Sequence, residues 1–234
     1  MFPPRDYDEA ITIFSPEGRL YQVEYALELV KRGAPIIGVS SPEGVVLAAN
    51  ETPESRLEDP TLFRKIFQLD DHIGVAIAGL SSDAQVLIDQ ARLLCQRHRL
   101  LYDEPIDIMS LTMRIGDLAQ VYTQYAWVRP FGVGMIVSGV DRTGCGVFVI
   151  DPTGSYRGYR ATAVGRRSNE ANGLLVDRYR EGITLDEAIG LAVEGVKTAS
   201  EGVVTAKVVK IAVIPTETKT FRRLTEKEVE KYLR

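Results

Sequence analysis

Two cysteines, two histidines and a single tryptophan are spread over 234 residues. Cys95 and Cys145 are too few for a disulfide framework or a cysteine-rich zinc centre. His72 and His98 leave little material for a histidine metal site, so neither a metal nor a cofactor is expected. No run approaches the ~18 apolar residues that a spanning helix needs. The opening residues, Met1-Phe2-Pro3-Pro4-Arg5-Asp6-Tyr7-Asp8, show no basic stretch followed by an apolar one, so no signal peptide is expected. A net charge of −4 lacks the basic surplus of a nucleic-acid binder. No membrane partner and no nucleic-acid partner are therefore expected, and the location expected is intracellular and cytoplasmic. The 45% apolar and 26% charged residues exclude general disorder. A chain of this length buries enough surface to fold without covalent staples.

No linker, charge block or repeat divides the sequence. It therefore reads as one domain, residues 15–234, behind a short tail, residues 1–14. Ser15-Pro16-Glu17 offers a capping hydroxyl and a proline at the first helical position, which predicts a helix over residues 15–32. Its apolar stripe is Leu20, Val23, Leu27 and Val30, and Gly33 stands at its end. Two hairpins follow, 35–40 with 44–49 and 65–69 with 73–78. Ser82 and Gln85 form a capping box before Ala84, Leu87, Ile88, Ala91, Leu94, Cys95 and His98 on one helical face. A second helix is expected over 107–125. Strands are then expected at 132–140, 144–150 and 156–163. Helices follow from Ser168 and from Thr184, the latter boxed by Glu187. Strands at 208–214 and 219–221 precede a last helix from Thr225, boxed by Glu228. Hairpins imply antiparallel sheets, and helix pairs between sheet blocks exclude an alternating parallel sheet. The fold class is α+β: a four-layer αββα sandwich of two antiparallel sheets.

The common catalytic constellations are missing. There is no Gly-Lys dipeptide for a P-loop, no Cys-x-x-Cys, no His-Glu-x-x-His and no Gly-x-Ser-x-Gly. Gly132-Val133-Gly134 lacks the third glycine of a dinucleotide fingerprint and opens a strand instead of ending one. A serine triad would have to use His72, in a polar turn, or His98, at the end of an apolar face. Cys95 reads as core, and Cys145 has only Arg142 nearby to activate it. Gly165-Arg166-Arg167 could bind an anion at a helix start, but a capped helix entry with solvated arginines is the favoured reading.

The run Phe14-Ser15-Pro16-Glu17-Gly18-Arg19-Leu20-Tyr21-Gln22-Val23-Glu24-Tyr25-Ala26 is more specific than a packed helix requires. It resembles the N-terminal signature of proteasome α subunits, and the rest is similar to archaeal members of that family. Tyr7-Asp8, Ala10-Ile11-Thr12, Lys65-Ile66, Ala78-Gly79-Leu80, Tyr122-Thr123-Gln124-Tyr125 and Arg129-Pro130-Phe131-Gly132 also match. The resemblance implies the N-terminal-nucleophile hydrolase sandwich and seven-membered outer rings of a proteolytic barrel. It implies β-subunit partners that carry the threonine peptidase sites, activated by their own α-amino groups. It also implies ubiquitin-independent or ATPase-driven degradation of unfolded polypeptide. This chain has no Gly-Thr dipeptide to release such a threonine. It reads as a scaffold and gate without catalytic residues. An N-terminal-nucleophile amidohydrolase of the same fold and an unrelated binding module are the alternatives.

By position, the resemblance assigns Tyr7, Asp8, Pro16 and Tyr25 to a cluster that holds the tail in a gate. It assigns Lys65, Gly33, Gly79 and Leu80 to an inter-subunit pocket. An ATPase activator would dock a tail there, ending in a hydrophobic residue, a tyrosine and any residue. Lys65 would pair with the terminal carboxylate, and the glycines would let the tail's backbone approach. Without that role, Lys65 would be a solvated strand-edge lysine. Tyr125, Ala126, Trp127, Val128 and Arg129 match the annulus through which substrate passes.

Overall fold

A computed structural model of the protein describes residues 12–53, 55, 57–59, 64–202 and 204–233. Strands β1 (Ile36–Ser41) and β2 (Gly44–Asn50) are buried along their whole length. Their side chains alternate between two apolar layers, as a strand covered on both faces must. Ile37, Val39, Val46 and Ala48 enter one layer. Ile36, Val45, Leu47 and Ala49 enter the other. β3 (Ile66–Asp70), β4 (Ile73–Gly79), β5 (Val133–Asp141), β6 (Gly144–Ile150) and β7 (Tyr156–Gly158) form one sheet in sequence order. β8 (Ala161–Val164), β9 (Val209–Pro215) and β10 (Arg222–Arg223) complete the other, in the order β10-β9-β2-β1-β8. Every strand pairing is antiparallel.

Helices α2 (Ser81–Tyr102) and α3 (Ile108–Val121) cover the β3–β7 sheet, setting Leu87, Ile88, Leu111 and Ile115 against Val75, Ile77 and Val137. Helices α4 (Ser168–Arg178), α5 (Leu185–Ala199) and α6 (Glu226–Leu233) cover the other sheet with Leu175, Ala192, Val196 and Val229. Between the sheets lies a third layer that includes Ile36, Leu47, Ile66, Ile136 and Ile214. The four-layer αββα sandwich expected from element order is therefore present. Gly38 sets the sheet spacing at its position. A Cβ there would stand 2.7 Å from Ile136 Cγ2 and 2.9 Å from Val147 Cγ1.

Five local expectations need correction. The helix expected over residues 15–32 is α1 (Tyr21–Arg32), because residues 15–18 close a turn instead. The Gly18 N–H donates to Ser15 O at 2.8 Å, and Gly18 adopts φ +76, off the helical path. Consequently α1 buries Val23, Ala26 and Val30, with Leu20 at its N-cap. α2 has no capping box: Leu80 is its N-cap, Ser82 lies inside the first turn, and Gln85 turns to Asp89 at 2.8 Å. The helix expected to reach residue 125 ends at Val121, and turns follow it. The single strand expected over 156–163 is two strands in two sheets. Tyr159 N–H still bonds Val147 O of one sheet, while Arg160 O already accepts from Ser40 N–H of the other. Residues 219–221 turn at Lys219, φ +49, so pairing starts only at Arg222. By contrast, the capping boxes at Thr184/Glu187 and Thr225/Glu228 are both formed.

Candidate functional site: a buried lysine in a cavity at one end of the sandwich

The end of α1, the end of β2, the start of β3 and the end of β4 converge on a cavity of about 390 Å³. Lys65, Gly33 and Gly79 all line it. Lys65 is only 5% exposed, which excludes a solvated edge lysine. Its backbone is held from two sides. Glu51 Oε1 accepts the N–H groups of Lys65, at 2.6 Å, and Ile66, at 3.3 Å. The Arg223 guanidinium donates to Ile66 O. Burial lowers the pKa of Arg223, and the Glu51 charge opposes that shift. Neither Glu51 nor Arg223 was expected at this site. Each reaches it through a contact between distant segments, which no local pattern announces.

Gly33 and Gly79 have an internal reason to be glycine. A Cβ on Gly33 would stand 2.4 Å from Gly79 N. Gly79 adopts φ +114, and a Cβ there would stand 2.2 Å from Gly132 O. Three backbones thus stack without side chains between them, and this stack builds the cavity wall. The chain's own packing therefore already requires hydrogen at these Cα positions. Leu80 faces a neighbouring groove of about 300 Å³, which Tyr25, Leu29 and Arg129 also line. Tyr25 is half exposed there. Pro16 is exposed in the Ser15–Gly18 turn. Tyr7 and Asp8 lie outside the described residues.

Tyr125, Ala126, Trp127, Val128 and Arg129 form an exposed segment after α3. Trp127 is fully exposed and adopts φ +72, a left-handed conformation that a bulky residue rarely takes. The segment is anchored at its far end. Arg129 grips Asp83 with two bonds of 2.5 and 2.7 Å, and Gly132 N–H donates to the same carboxylate at 2.8 Å. The Arg129 bond holds the Asp83 carboxyl below its ordinary pKa, and Asp83 in turn raises that of Arg129. Asp83 was missed at the sequence level. Its only signal is an acid in the first turn of a helix, which the helix dipole already explains.

The scarce reactive side chains are occupied elsewhere. Cys95 is fully buried, and burial pushes its thiol up to about 12, away from the thiolate. Cys145 Sγ lies 3.4 Å from Thr216 Oγ1. His72 is buried, not merely placed in a polar turn, and its Nε2 bonds Ile106 O at 2.8 Å. His98 packs against Tyr102 in a tilted arrangement, ring centroids 4.7 Å apart. Among the described residues no cluster of three His, Cys, Asp or Glu is placed to hold a metal ion, and no helix is long and apolar enough to cross a membrane.

Residues 30–214 match the family of proteasome subunits. Residues 7–28 match the N-terminal signature of A-type proteasome subunits. The chain is 47% identical over 223 residues to the proteasome alpha subunit of Methanothermobacter thermautotrophicus, covering 95% of this chain and 90% of that one. It is 45% identical over 231 residues to the proteasome alpha subunit of Pyrococcus abyssi, covering 99% and 88%. Against the proteasome alpha subunit of Methanocaldococcus jannaschii the identity is 44% over 233 residues, covering 100% and 89%.

Proposed function

The chain belongs to the proteasome α-subunit family, and from that premise we propose that it is a non-catalytic member of a seven-membered outer ring. In the cytoplasm that ring stands on β subunits whose threonines cut the substrate. The ring gates the passage of unfolded polypeptide and docks the C-terminal tails of an ATPase activator. The observation that carries this is the cavity that gathers Lys65, Gly33 and Gly79, with the lysine almost wholly withdrawn from water. An ammonium in such a place is suited to a carboxylate that enters and loses its own water, since charge-assisted bonds strengthen there.

The start of β1 supports the absence of peptidase chemistry. A nucleophile of this fold needs a free amine at a strand start. Here α1 precedes β1, and its Val30 is part of the apolar layer between the sheets. Removing the preceding residues would open that layer. The test is co-purification with a β subunit, followed by peptidase assays and intact mass of the α chain. The chain alone should be inactive and unprocessed, and the pair active. Peptidase activity of the chain alone, with a processed N-terminus, would restore the amidohydrolase.

A further inference from the structure

The Lys65 cavity contains an acid of its own. Among the described residues, Arg32, Lys65 and Arg166 line it together with one carboxylate, Glu201. Arg166 Nη1 lies 3.7 Å from Glu201 Oε2, with both side chains at least half exposed. Both partners are rooted firmly. The Arg166 N–H donates to Gly33 O at 2.7 Å. Gly165 before it adopts φ +106, and a Cβ there would stand 2.8 Å from Ala34 O and 2.9 Å from Gly33 O. Ser200, next to Glu201, is buried and accepts from Asn50 Nδ2 at 2.8 Å. The backbone thus roots the two side chains beside each other at the cavity.

We propose that Arg166 is a second carboxylate-binding cation of this cavity, and that Glu201 is its resident placeholder, displaced when a chain-terminal carboxylate enters. This rests on the docking role proposed above for Lys65. Solvent screening decides the exchange. A half-exposed pair at 3.7 Å is weak, because water and salt screen it. A carboxylate carried inward to the buried Lys65 ammonium forms a stronger, less screened bond, to which the planar Arg166 guanidinium adds a contact at the rim. The incoming group therefore wins. Glu201 meanwhile keeps the empty cavity closer to neutral and disfavours anions that cannot reach Lys65. Among the described residues Arg32 forms no such pair with an acid of this cavity, and it is not assigned the role. The arginine run 166–167 thus divides its work: Arg167 pairs with Glu170 of α4, and Arg166 serves the cavity.

The test uses the assembled barrel with its β subunit. The probe is a labelled heptapeptide ending Leu-Tyr-Arg, made once with a free carboxylate and once as the amide, with binding read by fluorescence anisotropy. The intact protein should prefer the carboxylate. Arg166→Gln should weaken the carboxylate peptide by about five- to tenfold and leave the amide unchanged. Arg166→Lys should recover part of that loss. Glu201→Gln should tighten the carboxylate peptide about twofold, with the gain shrinking as salt rises. Lys65→Ala separates the two ideas. If Lys65→Ala loses the carboxylate preference while Arg166→Gln and Glu201→Gln bind like the intact protein, the second cation is overturned and the docking role stands. If Arg166→Gln loses the preference and Lys65→Ala keeps it, the lysine's role is overturned and Arg166 stands. If neither changes it, both fail.

Discussion

A lysine with 5% exposure stays charged only where neighbours replace its water, so its surroundings define its work. Lys65 is expected to hold the activator's terminal carboxylate. Lys65→Ala should then abolish stimulation of peptide hydrolysis by an ATPase activator while native mass shows an intact ring; unchanged stimulation would remove Lys65 from docking. Asp83 is a buried acid whose partner is Arg129. Its carboxyl is depressed chiefly by the Arg129 bond, so its folded pKa lies below the ~3.9 of an unfolded aspartate. Its stabilisation is fully present above that unfolded value and is lost as pH falls through the folded value. Asp83→Asn should cost about 1–3 kcal/mol at neutral pH. In thermal melts from pH 7 to pH 2 the gap between the two proteins should close below about pH 4. A constant gap would mean that charge does not hold the segment after α3. Of these residues, Lys65 was legible only through family likeness, since a lone lysine before a strand looks like any solvated one. Asp83, Glu51 and Arg223 were not legible, because their partners sit far away in sequence.

Helix starts separate what local chemistry decides from what the sheet decides. Ser82/Gln85 and Thr184/Glu187 carry the same capping pattern, yet only the second forms. α5 follows a turn, so Thr184 is free to cap: Glu187 N–H reaches its hydroxyl at 3.2 Å, and Glu187 Oε2 returns to Thr184 N–H at 2.8 Å. α2 leaves β4 without a turn. Leu80 N–H is still bonded to Gly132 O in the sheet's continuation, and the helix begins at Ser81 before Ser82 can act. Thr184→Ala should therefore cost about 1 kcal/mol, a melting shift of about 2–4 °C in a chain of this length. Ser82→Ala should stay within about 0.5 kcal/mol. Equal losses in paired thermal melts would contradict this account. The hairpins were legible because alternation and turn residues are local. The break at Tyr159-Arg160 was not: both halves look extended, and only the second sheet, contributed by β1, separates them.

At the scale of the molecule, element order alone implied two sheets with helices outside, because hairpin blocks separated by helix pairs have few other ways to bury their apolar faces. What order could not give is the position of α1. Its Val30 enters the layer between the sheets, and Gly134 accommodates it: a Cβ there would stand 2.8 Å from Val30 Cγ1. α1 thus belongs to the sandwich, and the Ser15–Gly18 turn leads into it. The proposed gate can be tested by removing the residues before that turn. Deleting residues 2–11 removes Tyr7 and Asp8 and keeps in the chain every residue of the turn, of α1 and of the cavity's described lining. The assembled barrel should keep its native mass and hydrolyse long peptides faster than the full chain does without activator. Addition of the ATPase should then give a smaller further rise, since opening is already achieved. A rate that stays at the intact level, with the ring preserved, would show that these residues form no barrier. The passage would then be limited elsewhere, first at the exposed segment around Trp127.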